Sequence, residues 1–414
     1  MKKKYTFIIW LFSILLTANF VNNNPDKIEY LKNIFNDKEP SIQPIVSKPI
    51  LANSLSIELN EVFEFQDGYK TAFLSYNQAQ NENFDINNLG IYFQNGIFID
   101  PRVPNKNVSL KNFTEDYNGG VKNVFIYKNV PFAYLSMLED KCYYAAIVNT
   151  QNNKEIFRTS CLVSDNLDFN GLGSASIHLE KSILLSIGAP EMYKTGIADL
   201  AQKPDSFFGK IIEIDKNELE KILSNEIEII NPKIYSLGHR NPQGLISLKN
   251  KIFSTEHGPQ GGDELNEILL GKNYGWPISS YGIKYPSDKS ETKFLKSHEQ
   301  NNFEEPLFAL IPSIGLSSLN VCPKKISNFY NKPCLMATSL WGNDLRQGKS
   351  ILFYLLNDKM NRVISVEKIF LGDEYRLRHF VTLDNNQLYE DNSENIYLSI
   401  DGKGIYSLNF TIID

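Results

Sequence analysis

Two stretches of the chain concentrate side chains that could do chemistry together. The longer runs from Leu237 to Pro277, LGHRNPQGLISLKNKIFSTEHGPQGGDELNEILLGKNYGWP, and holds Arg240 beside Asn241, two histidines and the carboxylates Glu256, Asp263, Glu264 and Glu267. The shorter is Arg376-Leu377-Arg378, followed by His379. A planar guanidinium such as that of Arg240 pairs with a carboxylate through two parallel hydrogen bonds. The glycine-rich run Glu256-His257-Gly258-Pro259-Gln260-Gly261-Gly262-Asp263-Glu264 offers carbonyl and carboxylate oxygens, hard donors of the kind calcium prefers. Taken one at a time, these residues read equally as turns with surface charges, and Arg376 and Arg378 as alternate outward positions of a strand.

The elements that must hold these groups are short strands. From Leu51 onward the chain repeats runs of alternating apolar and polar residues, among them AFLSY, GIYFQNGIFID, NVFIYKNVPFAYLSML, SILLSIG, KIIEID, ILFYLL and GIYSLNF, separated by Asn, Asp, Gly and Lys turns. That pattern predicts antiparallel sheet many times over. Only Lys216 to Ser224 reads as a helix. Many strands without the helices of βαβ units point to a sandwich, barrel or propeller. Within the long stretch, Asn241-Pro242-Gln243-Gly244 reads as a turn, with strands at Leu245–Leu248 and Ile252–Thr255 about Lys249 to Lys251.

With 414 residues, 42% of them hydrophobic, the chain can bury one large β domain or two ordinary ones, and its net charge of −6 gives no footprint for nucleic acid. Residues 1–21 combine three lysines with an apolar run from Tyr5 to Leu16, too short for an ordinary span, so a secretory signal or an uncleaved signal anchor is expected there. Residues 22–50 read as a lead-in linker and 51–414 as the β domain. The body of the chain is expected to be periplasmic or secreted, with membrane attachment only through an uncleaved anchor. Four cysteines in an exported chain favour two disulfides. The hairpin turn midway between Cys142 and Cys161 sets those two across a strand pair, and Cys322 and Cys334 flank another short excursion, although three pairings are formally open.

The runs GHRNPQGL, EHGPQGGDE and NYGWP together resemble the soluble quinoprotein glucose/aldose sugar dehydrogenases, the glucose/sorbosone dehydrogenase family. The resemblance implies an all-β, six-bladed β-propeller of four-stranded antiparallel blades that holds pyrroloquinoline quinone (PQQ) and calcium on one face. It implies cofactor contacts at Asn118, Arg240, Asn241, Asp263, Arg376 and Arg378. It also implies carbonyl ligands to calcium at Gly258 and Pro259, and a second, structural calcium at Glu264 and Tyr274. The implied reaction is oxidation of an aldose C1 hydroxyl, with a base taking the proton, hydride passing to the quinone and an electron acceptor of unknown kind completing the cycle.

The departures are specific. Where the family carries its general-base histidine this chain has Asn170, and where a nearby acid is expected it has Ala189. A family lysine near the cofactor is matched by Trp341. His379 is the remaining histidine that could substitute as base. A non-catalytic propeller that binds a sugar, a cofactor or a protein partner is therefore the alternative.

Overall fold

Runs such as KIIEID and SILFYLL end in residues that turn the chain tightly, and the result is a succession of four-stranded meanders. In the computed structural model, residues 55–66, 71–76, 89–100, 112–163, 169, 172–189, 197–283, 298–342, 348–383 and 396–413 are described. They form six four-stranded sheets. Ala72–Tyr76, Val121–Tyr127, Ser176–His178, Pro242–Leu248, Leu316–Val321 and Leu377–Phe380, one strand from each sheet, neighbour one another in a ring about a central axis. This is the six-bladed propeller that the resemblance implied. One blade departs from the antiparallel rule, because Thr382–Leu383 pairs parallel with the inner strand Ala72–Tyr76.

The turn chemistry is visible in the backbone. Lys128-Asn129 and Lys249-Asn250 each join an inner strand to the next with both residues at positive φ (48° and 62°, 48° and 65°), the geometry of a two-residue hairpin whose twist matches its strands. The expected helix is present over Lys216–Leu223, started by Asp215, whose side chain accepts from the Asn217 amide at 2.8 Å. The expected turn at Asn241 to Gly244 is not. Pro242 instead opens the inner strand, where a missing N–H is tolerated because that edge faces the axis, and a register shift between Pro242 and Gly244 absorbs the irregularity.

Core packing follows from the repeat. Each sheet lays a face on the next, so the buried side chains separate into laminae: Phe73, Tyr92 and Val124 between the first two blades, Ile183 and Phe132 between the second and third, Leu245 and Leu184 between the third and fourth, and so on round the ring. The ring is closed by Leu55–Glu64, which pairs antiparallel with Gly404–Ile412 as the outermost strand of the last blade. Both expected disulfides form, Cys142–Cys161 and Cys322–Cys334, with Cα separations of 5.2 and 5.3 Å. The signal segment at 1–21 and the linker at 22–50 lie outside the described residues, and no described helix is long and apolar enough to cross a membrane.

Candidate functional site

Propeller topology decides which residues meet. All six inner strands run in one direction, so the segments that lead into them emerge on one face, together with the loops that join second to third strands. That face therefore receives Asn118 to Gly120 before Val121, Gly173 before Ser176, Arg240 and Asn241 before Pro242, Gly315 before Leu316 and Arg376 before Leu377. The second-to-third-strand loops add His257 to Gly262, Trp341 and Asp401.

Arg240 and Asn241 organise the centre of this face. The Arg240 guanidinium donates through Nη1 to the carbonyls of His257 (3.0 Å) and Gly258 (2.9 Å), and it lies over the ring of the buried Trp276, 5.3 Å from the centroid. Asn241, also buried, accepts at Oδ1 from the Gly173 amide and from Gln243 Nε2, each at 3.0 Å, and pairs through Nδ2 with His257 Nδ1 at 3.2 Å. An amide nitrogen can only donate, so His257 Nδ1 accepts and the ring proton sits on Nε2. That N–H is buried without a well-formed hydrogen bond, Leu316 being its backbone neighbour. Burial first, then the charges of Arg240, Arg378 and Arg376, pull the His257 pKa down to about 3, so the ring is neutral and three guanidinium groups share its neighbourhood.

Asp263 anchors the loops around that ring. Fully buried, it accepts at Oδ2 from the amides of Ile314 (2.9 Å), Gly315 (2.7 Å) and Leu316 (3.2 Å), and at Oδ1 from the amide of Gly258 (3.0 Å). Burial still lifts its pKa despite those donors. The expectation of a cofactor contact is thereby replaced: both oxygens are turned to backbone, and Asp263 fixes the glycine loop to the entry of the next blade. Gly315 is required where it stands. Its φ is +69°, and a Cβ there would come within 3.7 Å of His257 Nε2, filling the space beside the orphaned donor.

Arg376 and Arg378 do emerge on the same face, paired with a residue that sequence reasoning missed. Asp401 receives Arg376 Nε at 2.8 Å and Arg378 Nη2 at 2.6 Å, so two cations share one carboxylate and the cluster keeps a positive excess. Arg376 also donates to the Leu340 carbonyl at 3.2 Å and keeps a 43% exposed side chain. Burial and Arg378 pull its pKa down, the mark of cations crowded together.

Several expectations are corrected. His379 is not poised as a base. It alternates away from Arg378, packs edge-on against Phe73, takes the Leu74 amide on Nδ1 at 3.4 Å, and burial lowers its pKa to about 3. Glu264 and Tyr274 do not converge on one point through their side chains. Glu264 lies directly across the strand pair from Glu256, where burial raises both pKa values, and the Tyr274 hydroxyl donates to the Glu267 carbonyl at 2.6 Å while accepting the Leu269 amide at 2.9 Å. Asn118 does lie on the site face, held at φ 61° and exposed, with Lys122 Nζ donating to its carbonyl at 2.5 Å. Asn170 lies outside the described residues.

These groups can be tested against the cofactors implied earlier. A planar polycarboxylate fits: three guanidiniums, an unsatisfied buried N–H and a glycine that leaves room beside it are its complement. Calcium at Gly258 and Pro259 does not fit as arranged. The Gly258 carbonyl already carries the Arg240 guanidinium, a cation on the oxygen that would ligate calcium, and Asp263 is taken by amides.

Comparison with known proteins adds the lineage. The family model for Glucose / Sorbosone dehydrogenase matches residues 142–397. An uncharacterized protein of Synechocystis, slr1608, is 31% identical over 207 residues, covering 48% of this chain and 47% of that protein. The aldose sugar dehydrogenase YliI of Escherichia coli is 38% identical over 130 residues, 29% of this chain and 33% of that one. The chain thus spans about half the length of these curated relatives, or less. Among solved structures, the apo form of the soluble Escherichia coli aldose sugar dehydrogenase superposes with a TM-score of 0.61 at 18% identity, covering 86% of this chain and 100% of that one. The PQQ-bound aldose sugar dehydrogenase of Streptomyces coelicolor gives 0.54 at 15%, covering 86% and 99%. At such identities the superpositions speak for the fold. The family match spans more than half of the chain and includes the segments that carry Arg240, Asn241, Arg376 and Arg378, and by it the chain belongs to the glucose/sorbosone dehydrogenase family.

Proposed function

We propose that this chain is an extracytoplasmic oxidoreductase that binds PQQ on the arginine-lined face and oxidises the C1 hydroxyl of aldose sugars. The observation that carries the reading is the gathering of Arg240, Arg376 and Arg378 about the neutral, N–H-bearing His257, with Arg376 and Arg378 sharing the one carboxylate of Asp401. A tricarboxylate matches that excess, and guanidinium forks would hold it in a fixed orientation. Asn241 keeps His257 in the tautomer that donates, and Asp263 keeps the loop under it in place. PQQ, when bound, supplies the two-electron oxidising centre. No step is assigned to calcium, because the carbonyl it would need is shared with Arg240.

The proton of the sugar hydroxyl still needs an acceptor. Asn170 cannot serve at neutral pH, and His379 is turned into the gap between two blades. A positioned base contributes typically about 10² to 10⁴ in rate, so the activity is expected to be slow compared with relatives that keep a histidine. The two disulfides support an exported, periplasmic or secreted chain; its partners in this reading are a sugar and an electron acceptor.

The absence of a histidine base at position 170 also favours a second reading, a propeller that binds ligand without turnover. Titration with PQQ, with and without Ca²⁺, distinguishes the outcomes when followed by absorbance and melting temperature and paired with an aldose assay using an artificial acceptor. Saturable binding with a rate that rises in Asn170→His supports the dehydrogenase. Binding without turnover in either form supports the second reading, and no binding at all removes both the cofactor and the reaction.

A further inference from the structure

Trp276 is only 2% exposed and packs with Ala189, Ala198 and Ala201, which flank and line the second-to-third-strand loop of the third blade. Its indole N–H is buried and has no hydrogen-bond partner among the described residues. A buried indole usually finds an acceptor, and a donor left without one is costly, so something other than that N–H fixes where the ring lies. What the ring does meet is a cation: the Arg240 guanidinium carbon stands over it, 5.3 Å from the centroid.

Both partners are pinned to one stretch of backbone. The Trp276 amide donates to the Gly238 carbonyl and the Tyr274 amide to the Leu237 carbonyl, each at 2.9 Å, so this segment lies along the residues that lead into Arg240. Gly238 sits at φ +79°, and a Cβ on it would fall 2.1 Å from Asn273 Oδ1, an approach that only glycine allows. A second tie comes from the third blade. Gln202 Nε2 donates to the Trp276 carbonyl at 2.6 Å and to Asn273 Oδ1 at 3.1 Å, and Asn273 Nδ2 returns a bond to Gln202 Oε1 at 2.7 Å. Arg240 is thus held at Nη1 by the carbonyls of His257 and Gly258 and over its neighbour by an indole whose own amide and carbonyl are both anchored.

We infer that Trp276 is the positioning residue for Arg240, the platform that holds its guanidinium in one orientation toward a ligand carboxylate; this rests on the proposed PQQ site. A cation over an indole face is drawn to the negative face of the ring, and the attraction grows when both are out of water. Arginine recognises a carboxylate through a directed fork, so a guanidinium that turns loosely loses much of that gain. Trp276 acts through Arg240 and needs no contact with the ligand.

The test measures PQQ affinity of the full chain by calorimetric titration in a double-mutant cycle of Trp276→Leu and Arg240→Met, with Trp276→Phe as the conservative variant. Positioning predicts that Trp276→Leu weakens PQQ about tenfold and Trp276→Phe about threefold or less. In the Arg240→Met background Trp276→Leu should change affinity by less than about twofold, because the group it acts through is gone. A general loosening of the face would weaken PQQ equally in both backgrounds. That outcome, or unchanged affinity in Trp276→Leu, overturns the positioning role and leaves the PQQ site standing. Melting temperature of each protein without PQQ reports folding. If Trp276→Leu does not fold, Gln202→Leu, which loosens the same indole from the third blade, takes its place in the cycle, with an expected loss of about threefold that vanishes in Arg240→Met. Failure of the wild type to bind PQQ overturns both readings.

Discussion

Replacing Asp263 by Asn isolates what its charge does for the site. The carboxylate receives four backbone N–H groups, three on Oδ2 and one on Oδ1. An asparagine can keep its oxygen toward Ile314, Gly315 and Leu316, but its NH₂ then meets the Gly258 amide, donor against donor. Bonds to a charged acceptor are worth about 1.5–3 kcal/mol net and neutral ones about 0.5–1.5, so three weakened bonds cost about 3 kcal/mol and one stranded amide about 1–3 more. Relief of the buried charge, which lifts the Asp263 pKa even with its donors in place, offsets part of this, leaving a net loss of about 2–3 kcal/mol. In a domain this large that lowers the melting temperature by about 3–4 °C. Calorimetry or urea unfolding measures the loss, and amide exchange locates it: Gly258 should exchange faster while the strand amides stay protected. Stability within about 0.5 kcal/mol of wild type, with Gly258 still protected, would show that the carboxylate does not tether the loop.

Other expected outcomes test the frame around the site. Lys210, fully buried with Nζ donating to the carbonyls of Leu200, Ala201 and Phe208, each at 2.9 Å, ties the second-to-third-strand loop of its blade, and Lys210→Met should cost about 2–4 kcal/mol in denaturant unfolding. Asp401→Ala removes the shared partner of Arg376 and Arg378 and should make PQQ binding steeper in salt, read from affinity at two ionic strengths, while an unchanged slope would count against a ligand at these arginines. His379, with a folded pKa of about 3 against an ordinary 6.5, contributes stability that is fully present above pH 6.5 and is lost as pH falls from there toward 3. Because that loss runs at about 1.4 kcal/mol per pH unit, His379→Gln should flatten the fall in urea midpoint between pH 6.5 and 4.5.

Much of this architecture was legible because local signals carry it. Alternation fixed the strands, Lys249 to Lys251 marked one hairpin turn while the turn at Lys128-Asn129 was hidden inside a single apolar run, and the turn midway between Cys142 and Cys161 placed that disulfide. Pro242 misled because proline and glycine mark turns in general, whereas an inner edge strand of a propeller tolerates both. The site was legible through Arg240, Asn241, Arg376 and Arg378, whose chemistry is the same wherever the chain puts them. Asp401 was hidden because Asp-Gly between two apolar runs reads as a hairpin turn, which it also is. The direction of His379 and the saturation of Asp263 depend on which blade lies next to which, and their partners stand about 300 and about 50 positions away.

The closing strand has a consequence in time. Leu55–Glu64 finds its partner only when Gly404–Ile412 has been made, so the first described strand of the domain is the last to be paired. Until then it is an open edge with unsatisfied N–H and C=O groups, a template for other chains. Bringing together segments so far apart in the chain is the slow kind of pairing, dominated by loop closure rather than by local contacts. A chain released before Gly404–Ile412 is made would hold an unsealed ring, and its route is then aggregation or degradation rather than a slightly weaker propeller.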